Sequence, residues 1–397
     1  MSKWKKLIAY SLGVSSLITA NTLFARDVEE NLIDSSPYLI TVGDPSDPIY
    51  ANAGQNLRNG VGSIYIEFAS GGFICTATAI GPRHVLTAAH CVRNGSEPVD
   101  RLRFILNAGL ESPMILEASG FAVHPMYDIY SPSYGAFAHG DIAVIELEDE
   151  LPPEIETYEL YTSADEFDKE TRHYGHGRSG KGNKGATGDA DFWYARTGLN
   201  KYEQVLEPFF GDGIPDQLLH DYDSGGRKHN AMEWWFSSSS RCAPDHPGNP
   251  SQAQDGQCTT FKDGSYPDFK GFGKFEVGVA PGDSGGPGFI DNKVAGVHSF
   301  GFTHYCGSVT NGTDFSCGLN SSYGEMSGDT RVSFYTTWIN DITSGISGVT
   351  SIPAVVPETF SSQQSQAVLG QSQRVQYFMS NVFSNTYRES IPKKDKE

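Results

Sequence analysis

A chain of 397 residues with a formal net charge of −19 is a poor partner for nucleic acid or an anionic membrane surface. Its 44 glycines, 21 prolines and 12 % aromatic residues, with few long helical patterns, favour an all-β chain rich in turns. Beyond the N-terminus no segment is long and apolar enough to cross a membrane as a helix.

The chain opens with Lys3, Lys5 and Lys6, then an apolar run over residues 7–20 that is too short for a membrane span. This is the pattern of a secretory signal peptide over residues 1–25, cut after Ala25, or after Ala20 because Leu23 is bulky. The competing reading is an uncleaved anchor; the signal predicts a secreted protein, extracellular or periplasmic in transit, with no membrane contact after cleavage. Residues 26–58 are polar and carry Pro37, Pro45 and Pro48, which suggests a propeptide or N-terminal extension lying over the domain that follows.

From Gly62 the pattern changes. Residues 63–68 alternate as a strand should, 73–80 form a second, and 84–87 run back after the Gly81-Pro82-Arg83 turn. Further strands are expected at 103–106, 114–118 and 142–147, completing a first barrel near residue 160. In the second half, strands are expected at 204–208, 217–222, 288–290, 294–300 and 331–334. The glycine-rich run 178–189 suggests a long exposed loop; it lacks the Gly-Lys-Ser/Thr ending of a phosphate-binding loop. Residues 224–262 and 306–328 read as turn-rich insertions, the first a disulfide-pinned surface loop or a specificity loop, with Trp234 and Trp235 packing rather than forming a substrate platform. Residues 335–342 have helical spacing, with Tyr335, Trp338, Ile339 and Ile342 on one face. Residues 346–397 are Ser/Gln-rich and suggest a flexible tail.

Three motifs carry chemistry. In Gly282-Asp283-Ser284-Gly285-Gly286-Pro287 a serine stands between glycines, where its hydroxyl can be exposed and backbone donors can converge on one small volume. Thr87-Ala88-Ala89-His90-Cys91 supplies a histidine, and Gly140-Asp141-Ile142-Ala143 an aspartate followed by an apolar strand. Asp128 and Asp149 are rival aspartates without that context. The motifs and their order, His then Asp then Ser, resemble those of chymotrypsin-like (trypsin-superfamily) secreted serine endopeptidases of bacterial type.

The resemblance implies an all-β fold of two antiparallel six-stranded Greek-key β-barrels with a short C-terminal helix. It covers about residues 59–345, with barrels at about 59–160 and 170–345. It implies that Ser284 is the nucleophile, His90 the base and Asp141 the residue that orients it, with the amides of Gly282 and Ser284 as oxyanion hole. It also implies a Cys75–Cys91 disulfide; Cys242 with Cys258 and Cys306 with Cys317 are paired only by proximity in sequence. A zinc site is disfavoured, since no Cys-x-x-Cys pair or nearby His pair has ligand spacing. Gly278 stands where trypsin-like members carry an acid, so preference for Lys or Arg is not expected. Ser299-Phe300-Gly301 matches the family segment that pairs with substrate and walls the pocket. His298 before it resembles the histidine of glutamyl endopeptidases that helps hold an acidic side chain, although a strand histidine in the second barrel is the preferred reading. Family zymogens pair the aspartate at Asp283 with a new N-terminus, usually Ile-Val-Gly-Gly; no such tetrapeptide occurs, so Arg172 or His173 is expected to take that part. The pairs Asp212/Asp216 and Asp221/Asp223 do not complete an EF-hand loop and suggest surface turns rather than calcium ligands.

The expected function is hydrolysis of a protein or peptide substrate by a monomer with no cofactor and no metal. The alternatives are a catalytically silent binding module on the same fold, and an esterase. The last is disfavoured because strand-like segments, not a helix, follow Ser284.

Overall fold

The computed structural model describes residues 40–42, 47–134, 139–187, 190, 195–206, 214–224, 231–232, 271–303 and 319–352. After a short strand, Ile40–Val42 (β1), six strands follow: Val61–Phe68 (β2), Gly71–Gly81 (β3), His84–Thr87 (β4), Val99–Leu106 (β5), Met114–Val123 (β6) and Ala143–Leu147 (β7). They pair antiparallel in the order β6-β5-β2-β3-β4-β7, and β6 pairs again with β7, which closes a six-stranded barrel. Closure removes the free sheet edges. Register shifts at Ala79/Gly81 and Ala118/Gly120 bend two of the strands around the barrel. Ile64, Ile66, Leu86, Phe104 and Val144 fill its interior, each fully buried. Burial of such side chains is worth about 1.5–3 kcal/mol apiece. Two helical pieces interrupt the strands: Ala89–Val92 (α1), a single turn, and Pro125–Tyr134 (α2), which the sequence pattern does not announce.

The second half contains Glu170–Gly175 (β8), Ser179–Lys181 (β9), Gly185–Ala186 (β10), Arg196–Lys201 (β11), Gln204–Leu206 (β12), Gln217–Asp221 (β13), Pro287–Ile290 (β14), Lys293–Thr303 (β15) and Glu325–Arg331 (β16). Seven of these form one curled sheet in the order β11-β8-β14-β15-β16-β13-β12. Among the described residues no pairing joins its two ends; with the closed first barrel, this curled second sheet is consistent with the expected double-barrel fold. The glycine-rich run is not simply an exposed loop: β9 pairs in parallel with β1 and antiparallel with β10, and Ser179 is buried. Glycine is required there, because a Cβ on Gly180 would lie 1.9 Å from the Gly185 carbonyl oxygen. Residues 47–58 are built into this half. Tyr50 is buried with its hydroxyl donating to the Lys274 carbonyl, and the Tyr174 hydroxyl donates to the Asn56 carbonyl at 2.9 Å.

The strand expected at 331–334 is displaced. The strand is β16, and a helix, Val332–Thr343 (α3), starts directly after it. Every residue of β16 is buried, yet Glu325, Ser327, Asp329, Thr330 and Arg331 are polar, so the strand has no apolar alternation to read. Helix α3 buries Val332, Tyr335, Ile339 and Ile342, with Trp338 packed beside them, against the first barrel. Beyond it Thr350–Ser351 (β17) pairs with β6, so the segment read as a tail begins with residues held on the barrel. Residues 1–353 and 354–397 form two units, and the second lies outside the described residues, as does the signal-like segment. Among the described residues no helix is long and apolar enough to cross a membrane.

Candidate active site

His90 lies on the single turn α1, at the end of β4. The turn is pinned from beneath: the Thr87 hydroxyl donates to the Thr76 carbonyl at 2.8 Å, and Cys91 is disulfide-bonded to Cys75 on β3. Asp141 comes from the turn leading into β7, where Gly140 has φ +73 and a Cβ would lie 2.8 Å from the Tyr127 nitrogen. The Asp141 side chain is fully buried. Its Oδ1 accepts from the His90 backbone N–H at 2.8 Å, and its Oδ2 lies 2.7 Å from His90 Nδ1 and accepts from the Ser299 hydroxyl. A buried carboxylate needs such donors, since desolvation alone costs several kcal/mol. The arrangement fixes the imidazole ring; its other nitrogen, Nε2, is buried and makes no hydrogen bond among the described residues.

Ser284 arrives from the second sheet, on the turn before β14. Thr76 of β3 holds that turn: its N–H donates to the Ser284 carbonyl at 2.8 Å and its hydroxyl to the Gly282 carbonyl at 3.1 Å. Cys91 Sγ lies 3.7 Å from the Ser284 carbonyl oxygen, so the serine turn is seated against the disulfide and the histidine turn. Gly282 and Gly285 have φ +99 and +81, values that favour glycine. The turn sorts its amides into two sets. Those of Asp283, Gly285 and Gly286 donate to the carbonyls of Ala280, His298 and Asp283. Those of Gly282 and Ser284 make no hydrogen bond among the described residues. Both of these amides flank a half-buried serine.

Asp283 is fully buried, but neither Arg172 nor His173 pairs with it. Its Oδ1 accepts from the Gly177 N–H and its Oδ2 from the Ala280 N–H, both at 2.7 Å. Backbone amides therefore occupy the place expected for a basic side chain. Arg172 and His173 lie on β8, and the ring of His173 turns into the sheet's core, where it stacks on His298 at 4.9 Å. Burial pushes the Asp283 carboxyl up to about 7.

Of the residues expected at the substrate pocket, Gly278 and Gly301 line one concavity together with Tyr222, Leu319, Glu325 and Met326. His298, Ser299 and Phe300 are directed elsewhere. His298 Nδ1 is 2.9 Å from Asp329 Oδ1 inside the second sheet, the Ser299 hydroxyl serves Asp141, and a Cβ on Gly328 would lie 2.2 Å from the Phe300 ring. Burial opposes charge on His298, but the Asp329 carboxylate outweighs it and holds the imidazole above its ordinary value. Tyr202 also donates to Asp329, at 2.6 Å, and His173 and His220 complete a buried group of possible metal ligands.

Sequence reasoning misses several residues that shape the site. Asp216, expected on a surface turn, is 1 % exposed; it accepts from the Tyr335 hydroxyl and from the Gly140 N–H at 3.3 Å, and lies 2.8 Å from His139 Nδ1. It thus ties the Asp141 turn to helix α3. Asp221 and Asp223 are likewise buried rather than on surface turns. Glu325 lines the concavity, with its carboxylate accepting from the Asn320 and Ser321 N–H groups at 2.8 Å. No local pattern marks these acids, because their partners come from distant parts of the chain or from backbone. Asp212, Trp234, Trp235, Cys242, Cys258, Cys306 and Cys317 lie outside the described residues.

No curated protein matches the chain. Residues 53–211 match the family model described as Trypsin; on a closed barrel followed by a curled second sheet, that match supports assignment to the chymotrypsin-like serine protease superfamily.

Proposed function

We propose that the chain is a secreted serine endopeptidase that cleaves peptide bonds through His90, Asp141 and Ser284. In this reading Ser284 Oγ attacks the scissile carbonyl carbon while His90 Nε2 takes the hydroxyl proton. The oxyanion is met by the Gly282 and Ser284 N–H groups. His90 then gives its proton to the leaving amine, and water hydrolyses the acyl-enzyme by the same exchange. Asp141 stays ionised and holds His90 in the productive orientation. The observation that carries the reading is the conjunction at one seam: a buried Asp141–His90 pair 2.7 Å apart faces a serine turn whose two spare amides are those of Gly282 and Ser284. Gly278 at the pocket supports a preference other than Lys or Arg.

The test is cleavage of a peptide library by the purified protein beside Ser284→Ala. The reading requires cleavage that the substitution abolishes. Cleavage by neither protein would favour the silent binding module. The resident signal is tested by N-terminal sequencing of exported protein, which should begin after Ala25 or Ala20.

A further inference from the structure

Four carboxylates converge in the second half of the chain, away from His90 and Ser284. Asp221 ends β13 and Asp223 follows it; Glu276 lies on the segment leading to Gly278; Glu203 stands between β11 and β12. Their exposures are 2 %, 1 %, 1 % and 3 % respectively. Carboxylate oxygens of Asp221, Asp223 and Glu276 all lie within 4.8 Å of one another. Glu203 is the fourth member: it is buried and its carboxyl is hydrogen-bonded to that of Asp221. Like charges this close repel strongly where water does not screen them. Four ionised carboxylates in one dry volume therefore demand compensation, by protons or by a cation.

The hydrogen bonds separate these alternatives. Backbone donors fix two of the acids: Glu276 accepts from the N–H groups of Asp223 at 2.6 Å and Phe272 at 2.5 Å, and Asp221 accepts from Met232 at 2.7 Å. Glu203 is different. Its Oε2 is buried and makes no hydrogen bond among the described residues, and the groups around it are the other carboxylates. A proton shared within the cluster would leave that oxygen bare, whereas a cation at its centre would satisfy it. The donor set is oxygen only, with no imidazole or thiolate, which selects a hard ion. Calcium takes 6–8 oxygens at about 2.3–2.6 Å, so its ligand atoms lie within roughly 5 Å of each other, as those of Asp221, Asp223 and Glu276 do.

We propose that Glu203, Asp221, Asp223 and Glu276 form a buried calcium site, although the sequence suggests no metal. The site adjoins the candidate pocket. Tyr222, between two of the ligands, lines that concavity, as does Gly278, two residues beyond Glu276. Bound calcium would join the end of β13 to the segment that leads into the Ser284 turn, and so fix the pocket wall.

The test uses full-length Ser284→Ala protein, so that no self-cleavage intervenes and the outcome is independent of the catalytic proposal. The protein is stripped with EGTA and titrated with calcium chloride by calorimetry. One equivalent should bind, and the unfolding temperature should rise with each tenfold increase in calcium. Terbium should bind in its place with emission sensitised by tyrosine, and calcium should displace it. Glu203→Gln, which keeps shape and removes charge, should weaken calcium binding at least tenfold. Absence of calcium binding and of terbium emission in the parent protein would overturn the proposal, whether or not the variant folds. Unchanged affinity in both Glu203→Gln and Asp223→Asn would overturn it as well, by placing the ion elsewhere.

Discussion

Asp216→Ala is the substitution that most directly probes how the second half of the chain holds the Asp141 turn. Asp216 is 1 % exposed and its carboxylate is shared by the Tyr335 hydroxyl, the Gly140 N–H and His139. Removing it leaves a tyrosine hydroxyl and a histidine ring nitrogen without that acceptor in a buried site. Loss of one partner of a buried charged network costs about 3–5 kcal/mol. That is a large share of a stability of about 5–15 kcal/mol. Tyr335→Phe removes only the hydroxyl, which also accepts from the Gly140 N–H at 2.9 Å, and should cost about 1–2 kcal/mol. Because both changes break one network, the double variant should lose less than the sum of the two. Urea unfolding on the Ser284→Ala background measures all three. Peptide hydrolysis by the otherwise unaltered variants should fall with the loss of the Gly140 tether, at temperatures where they remain folded. An Asp216→Ala protein within 1 kcal/mol of its parent and fully active would refute the reasoning.

Other expectations follow from single contacts. Gly285→Ala should lose both activity and stability, because its Cβ would lie 2.0 Å from the Thr87 hydroxyl oxygen at φ +81; an unaffected variant would mean that the turn is not held as described. Opening the Cys75–Cys91 bridge by a double substitution to alanine should cost about 3 kcal/mol for a loop of 16 residues, measured by denaturant unfolding; a change under 1 kcal/mol would contradict this. Asp283 gives a pH signature. Burial raises its carboxyl from 3.8 to about 7, against the lowering effects of the Ala280 amide, His298 and the Gly177 amide. The folded state therefore holds this proton more tightly than the unfolded chain. The stability it contributes is complete below pH 3.8 and is lost as pH rises to about 7. Denaturation midpoints should fall over that window relative to Asp283→Asn, and parallel profiles for the two proteins would count against the assignment.

The first barrel is legible in the sequence because its strands alternate apolar and polar residues or are continuously apolar, as at residues 63–68 and 142–147. The three motifs are legible for a different reason: nucleophile turns and histidine turns impose glycine and small residues locally. The second half reads poorly because its interior is polar. Asp329 is buried against His298 and Tyr202, and β16 therefore carries no hydrophobic period. Asp221 and Asp223 look like turn residues to any local pattern, and only the approach of Glu203 and Glu276 in space shows them to be interior. The amides that receive the Asp283 carboxylate carry no side-chain signature at all, which is why a basic residue is expected in their place. Helix α2 is missed because residues 125–134 contain Ser131, Pro132 and Ser133 and no apolar stripe.

The most direct test of the catalytic account is mass spectrometry of the intact protein after reaction with a fluorophosphonate, beside Ser284→Ala. A serine reacts with that reagent only when a neighbouring base takes its proton and an oxyanion site receives the developing charge. One adduct per chain, mapped to Ser284 and absent from the variant, is the predicted result. An unmodified protein, both intact and after limited proteolysis, would contradict the account and leave a binding module built on a protease fold.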